Sequence, residues 1–163
     1  MPAMSVRRAN AADRLVMERL WLMFRHDLSE FRSVLPDSGG GFRDDRLRAS
    51  FRDPDWSPYL VTGGESPVGM ALVRGLSGSV RVLSEFFIVR GARRAGVGLS
   101  AAREVLARHP GPWEIAFQDD NVPAARFWRR LAADVSGDAW TEEKRPVPGR
   151  DDLPPDVWIR FEC

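Results

Sequence analysis

A mostly apolar run from Val80 to Val89 passes into the stretch VRGARRAGVGLSAA, where three arginines and three glycines stand directly ahead of a helical pattern. No other part of the chain restricts the fold as much. A strand that hands over to a helix through a glycine loop leaves backbone N–H groups converging at the helix N-terminus, where the first turn has no intrahelical acceptor for them. The helix dipole adds partial positive charge at the same point. Such a junction accepts a phosphate or pyrophosphate without a dedicated side chain, and glycine lets the backbone come close.

Two phosphate-binding patterns overlap here. Residues Gly96 to Ala101 satisfy the dinucleotide fingerprint G-x-G-x-x-G/A, with Glu114 as a downstream acidic residue. That fingerprint needs its first glycine directly after a parallel strand. In this chain Arg90 to Ala95 intervene, the preceding strands read as antiparallel, and Glu114 starts a strand where it should end one. Counted from Arg93, the residues up to Gly98 spell R-x-x-G-x-G, and Arg93 and Arg94 can add charge-assisted bonds to a phosphate. An ordinary strand-to-helix turn with solvated arginines is the plain alternative to both.

The surrounding patterns set the order of elements. MSVRRA reads as a strand, and Asn10 caps a helix from Ala11 to about Leu28 whose apolar residues Val16, Leu20, Met23, Phe24 and Phe31 recur at helical spacing. A loop rich in glycine leads to a short helix around Arg43 to Phe51. SPYLVT, SPVGMALVRG and SVRVLSEFFIVR are then separated by turn residues, as in an antiparallel meander. After the glycine stretch, Leu99, Ala102 and Leu106 line a helix that ends before His109-Pro110-Gly111. PWEIAFQ is a compact strand, Asn121 caps the last helix, and the tail holds two strands, around Ala139 to Lys144 and Val157 to Phe161. The expectation is one α/β domain of the α+β type over residues 1–163: a mixed, mostly antiparallel sheet of six to seven strands with helices on both faces.

Composition narrows the partners. Lysine plus arginine number 24 against 23 acidic residues, a net charge of +1, so there is no global basic field for a nucleic-acid backbone. Cys163 is the only cysteine, which excludes an intrachain disulfide and suits a reducing cytoplasm. His26 and His109 are too few to build a zinc site, and no metal is expected. No apolar run approaches the about 18 residues of a membrane span, and no signal-peptide pattern precedes the first strand, so a membrane is not an expected partner. The tryptophans Trp21, Trp113 and Trp158 fall in core elements and are read as core filling.

The segment from Val80 to Leu131 resembles the GNAT superfamily of N-acetyltransferases, and the element order elsewhere agrees. Beside R-x-x-G-x-G, the family's strand followed by Asn-x-x-Ala-x-x-Phe-Tyr is matched by Asn121-Val122-Pro123-Ala124-Ala125-Arg126-Phe127-Trp128. The resemblance implies a splayed sheet and acetyl-CoA as cofactor. It places the pantetheine on Phe86, Phe87 and Ile88, and the pyrophosphate on Arg93, Arg94, Ala95, Gly96, Val97, Gly98, Leu99 and Ser100. Asn121, Phe127 and Trp128 would flank the thiol end. The implied activity is direct transfer of an acetyl group to a primary amine of a small molecule or a protein. A non-catalytic acyl-CoA-binding module on the same fold is the main alternative, and a nucleotide-binding oxidoreductase a distant third.

Amine acetylation needs a base near the acetyl carbon, because alkylammonium groups titrate near pKa ~10. Glu85 is the candidate, since members of the resembled family often carry a glutamate on this strand; the competing account is a sheet residue paired with Arg74 or Arg81. The family's tyrosine, which can protonate the departing thiolate, is Trp128 here, and indole is no useful acid. By the same resemblance the acceptor pocket falls on His26, Asp27, Glu30 and Phe31, with Trp140, Glu142 and Glu143 as a second group, a mixture of carboxylates and aromatics that suits a cationic amine. A solvated helix end is the plain reading of each of these residues. Trp140 and Trp158, expected on edge strands, give a basis for a homodimer.

Overall fold

The structure, a computed structural model, describes residues 2–163. Seven strands form one sheet in the order β1-β2-β3-β4-β5-β7-β6. In chain order they are β1 (Met4–Arg8), β2 (Trp56–Gly63), β3 (Ser66–Arg74), β4 (Arg81–Ile88), β5 (Pro112–Gln118), β6 (Thr141–Arg145) and β7 (Asp156–Glu162). The helices are α1 (Arg14–Arg32), α2 (Asp45–Arg52), α3 (Val97–Ala107) and α4 (Val122–Ser136). Every neighbouring pair is antiparallel except β4 with β5.

Strand alternation divides the core between the two faces. Leu60, Met70, Leu72 and Phe87 meet Met17, Leu20, Trp21 and Phe24 of α1 and Leu47 of α2. On the other face, Val61, Ala71, Val73 and Ile115 meet the buried sides of α3 and α4. The α1 residues repeat at the spacing of one helical stripe, and each such side chain contributes about 1.5–3 kcal/mol on full burial.

Asn10 does cap, but it caps a short 3-10 turn at Ala11–Asp13, and α1 follows from Arg14. The helix passes the expected stop at Leu28 and ends at Ser33, whose φ of 52° is left-handed. Nothing between Leu28 and Arg32 breaks a helix. Strand β6 pairs outside β7, so Trp158 lies on an interior strand, and Trp140 precedes the edge strand while packing on the core. Neither tryptophan is therefore an edge-strand residue, which removes the expected basis for a dimer through edge tryptophans.

Two irregularities shape β4. Its register against β3 shifts between Leu72–Glu85 and Val73–Leu83, which leaves Ser84 as an extra residue. Val73 belongs to the α3–α4 side of the core and Leu72 to the α1–α2 side. The bulge therefore turns Leu83 and Glu85 to opposite faces, although two residues of a regular strand would share one. Opposite Ile88 stands Gly69, where a Cβ would clash with the Phe87 carbonyl oxygen and lie 2.6 Å from Ile88 Cδ1. Only glycine allows that approach.

Candidate functional site

The only parallel pairing among the described residues is brief. Arg81, Val82 and Leu83 of β4 pair with Trp113, Glu114 and Ile115 of β5, and there the contact ends. Beyond this point β4 follows β3 to Ile88 while β5 follows β7 to Gln118. The two strands open into a split whose walls are the second half of β4 and the end of β5. Ser84 Oγ on one wall and Gln118 Oε1 on the other are buried and lack a hydrogen-bond partner. Buried polar atoms are rarely left so, and these two stand on the strands that part at the split.

Behind the split lies an aromatic cluster. Phe86 stacks on Phe127 with centroids 5.8 Å apart, and Trp128 meets both edge-on at 5.4 and 4.7 Å. Phe87 points the other way, to Phe24 of α1. Among the three residues expected along the pantetheine, the side chains of Phe86 and Ile88 thus join the α3–α4 core and that of Phe87 the α1–α2 core.

The glycine stretch starts as a 3-10 turn, Arg90–Ala95, and Gly96 at φ 72° then opens α3. No described side chain caps α3, and a Cβ at Gly96 would meet nothing within 4 Å. Here the first N–H groups of a helix have no side-chain partner among the described residues, which is the arrangement an oxyanion needs. Ala95, Leu99 and Ser100 border the same turn. Gly98 faces α4, where its Cβ would lie 3.0 Å from Phe127 Cε2. The dinucleotide pattern is met in letters only, because the 3-10 turn separates Gly96 from β4.

The arginines of the stretch divide. Arg93 donates from Nε to the Ile88 carbonyl at 2.8 Å and pairs with Asp27 of α1, which also holds Arg90 at 2.8 Å. Its guanidinium lies 5.7 Å from the Phe87 ring. Arg94 makes no such bond among the described residues and lines an open pocket of about 490 Å³ with Pro2, Ser66 and Val89. Of the two, Arg94 is free to reach a phosphate, whereas Arg93 ties the loop to α1.

Asn121 accepts from Ala124 N at 3.2 Å, so it acts as the cap of α4. On the α1–α2 face, Glu85 is buried and its Oε1 accepts from Arg46 of α2 at 2.7 Å, while Oε2 is buried without a partner. Its ion partner is thus neither Arg74 nor Arg81. Sequence reasoning missed Arg46, because nothing local signals that α2 folds across β4. Of the residues expected around an acceptor, His26 and Glu30 are exposed on α1, Asp27 is occupied by arginines, Phe31 is half-buried, and Trp140 packs against the core. Glu142 is held by Arg129 at 2.8 Å, and Glu143 by Arg145.

No protein-family model matches this sequence, and no curated protein matches it either. Solved structures do match. An acetyltransferase of the GNAT family from Staphylococcus aureus superposes with a TM-score of 0.68 at 13% identity, covering 98% of this chain and 99% of that one. The chain has the GNAT fold. An acetyltransferase from Thermus thermophilus gives 0.68 at 17% identity, covering 99% and 97% of the two chains. The ribosomal-protein-S18-alanine N-acetyltransferase of Escherichia coli gives 0.67 at 9% identity, covering 98% and 94%. The expected fold class, a mixed sheet with helices on both faces, is therefore observed, with its GNAT split between β4 and β5. Among the described residues no helix is long and apolar enough to cross a membrane, and no group of three His, Cys, Asp or Glu side chains is set to hold a metal.

Proposed function

We propose that this protein is an acetyl-CoA-dependent N-acetyltransferase acting on a primary amine by direct transfer within a ternary complex. The observation that carries the proposal is the split of β4 from β5 together with the open, uncapped start of α3 at the end of β4. A long ligand with a pyrophosphate at one end suits that pair of features. Residues Ala95 to Ser100 would receive the pyrophosphate on backbone N–H groups, with Arg94 adding charge. Phe86 to Ile88 would lie along the pantetheine. Acetyl-CoA supplies the activated acetyl group as a thioester. Glu85 would accept the proton that the acceptor ammonium must lose before its nitrogen can attack, directly or through a water. A thiol of pKa about 8.5 leaves as the anion or takes a proton from water, so Trp128 in place of a tyrosine does not forbid turnover.

The alternative, a non-catalytic acyl-CoA-binding module, has two observations in its favour: Trp128 offers no acid, and Glu85 is bound by Arg46. Calorimetric titration with acetyl-CoA, CoA and NAD separates the readings. Gly96→Asp is the control, since aspartate tolerates the left-handed backbone while placing a negative charge where the pyrophosphate should sit. Acetyl-CoA binding that Gly96→Asp abolishes, followed by thiol release with some amine, is the expected result. Retained binding with no turnover on any amine supports the module, and no acetyl-CoA binding rejects both.

A further inference from the structure

The sequence predicts carboxylates on the acceptor side, yet the α1–α2 face around Glu85 is dominated by arginines. Arg46 of α2 reaches Glu85. Trp21 of α1 donates to the Arg43 carbonyl at 3.0 Å, which fixes the approach to α2 beside α1. Phe24 of α1 meets Phe87, two residues beyond Glu85 on β4, so its neighbour Arg25 stands at the same level of the sheet, 6.0 Å from the Trp21 ring. On β3, Leu72 lies opposite Glu85, and Arg74 is the next residue on that face. Four elements thus set Arg25, Arg46 and Arg74 around Glu85, each close enough to feel its charge.

The surrounding charges are otherwise matched. Arg32 pairs with Asp156 at 2.7 Å, Arg43 with Asp45 at 2.6 Å, and Glu114 with Arg145 at 2.6 Å. Asp55 accepts from Ser77 and from the Gly75 N–H. Arg25 and Arg74 alone in this group have no carboxylate or hydrogen-bond acceptor among the described residues, and Arg25 Nε is fully buried and unsatisfied. Both are half-buried, and burial lowers the pKa of each from the usual guanidinium value.

A guanidinium withdrawn from water without a counterion is costly unless a ligand supplies one. Arginine forks fit carboxylates and phosphates in two-point contacts. We propose that the acceptor is a zwitterion, an amine carrying its own oxyanion, whose anionic group is received by Arg25 and Arg74 while its ammonium turns to the bare Oε2 of Glu85. This deepens the acetyltransferase reading and rests on it for the chemistry, though not for the binding. A free amino acid is the simplest member of the class. An amine bearing a phosphate or phosphonate shares the recognition chemistry. An internal lysine or an N-terminal amine of a protein carries no such group beside the nitrogen.

The test is a binding panel on the free protein and on its CoA-saturated form: free amino acids, their amides, the corresponding decarboxylated amines, and phosphoethanolamine against ethanolamine. The expected result is that a member bearing the oxyanion binds at least about tenfold tighter than its counterpart without it, the loss of one charged hydrogen bond being worth that much or more. Arg25→Gln and Arg74→Gln should each erase that preference while melting as the parent does. Amino acids and phosphoethanolamine distinguish a carboxylate from a phosphate. Equal binding of members with and without the oxyanion, no binding of any, or a preference that survives both substitutions overturns the proposal. A protein without affinity for acetyl-CoA that still selects zwitterions would refute acetyl transfer and leave the anion site standing.

Discussion

Gly98 and Phe127 touch: a Cβ placed on Gly98 would lie 3.0 Å from Phe127 Cε2. The glycine loop and the Asn-x-x-Ala-x-x-Phe segment, separate motifs in the sequence, meet at this contact. The missing side chain of the first makes room for the ring of the second, and that ring is itself stacked on Phe86 of β4. Gly98→Val should therefore displace Phe127 and lower stability by about 1–3 kcal/mol, the usual cost of overpacking. Thermal unfolding checks this, with near-ultraviolet circular dichroism reporting the aromatic cluster; an unchanged melting temperature and spectrum would mean that Phe127 gives way freely.

The elements legible in the sequence are those fixed by local chemistry. Strand β5 runs over the expected Pro112–Gln118 because its alternation and its flanking turns agree, and α4 begins after Asn121 because the asparagine side chain caps it. The bulge at Ser84 is not legible, since an inserted residue leaves no mark in the composition of a strand. Nor is the partner of Glu85. Arg46 lies far from it in the chain, and only the packing of α2 over β4 makes them neighbours. Asp27 reads as an acceptor residue until α1 is seen to run beside the glycine loop, where Arg90 and Arg93 claim it. The glycine-loop side of the site follows sequence-local motifs, whereas the face around Glu85 is assembled from four distant segments.

The clasp formed by Asp27 predicts a change in loop dynamics. One carboxylate holds two arginines of the 3-10 turn, and Arg93 also fastens that turn to the Ile88 carbonyl. Asp27→Asn removes the charge, and a hydrogen bond to a charged group contributes about 1.5–3 kcal/mol. The amides of residues 90–95 should then exchange with deuterium at least about tenfold faster than in the parent, while those of β3 stay protected. Uniform exchange in the two proteins would show that the turn is held by its backbone alone.

Acid stability should carry the signature of Asp13. Arg7 donates to both of its oxygens at 2.7 Å and the Asn10 N–H adds a third bond, so its pKa falls from 3.8 to about 2. A carboxylate depressed in the folded state contributes stability above its unfolded pKa and loses it as pH drops through the folded one. Arg7 is partly solvated, which reduces the contribution to about 1–2 kcal/mol. In urea titrations Asp13→Asn should be weaker than the parent by that amount at neutral pH, with the gap closing between about pH 4 and pH 2. A gap that does not vary with pH would assign the effect to the cap geometry and not to the charge.

Whether Glu85 transfers a proton or only neutralises Arg46 can be decided by comparing both partners of the pair. Glu85→Gln keeps the shape of the side chain and removes its basicity; if Glu85 is the base, turnover falls at least about tenfold with acetyl-CoA affinity preserved. Arg46→Gln breaks the same 2.7 Å ion pair but leaves the carboxylate in place. A structural pair predicts the larger loss from Arg46→Gln, which strands the buried carboxylate, whereas Glu85→Gln leaves only an exposed guanidinium unmatched. A base predicts a loss of turnover in Glu85→Gln that Arg46→Gln does not share, and a pH–rate profile whose acidic limb disappears in Glu85→Gln alone. Equal turnover in Glu85→Gln and the parent would remove Glu85 from the chemistry and pass the deprotonation to solvent.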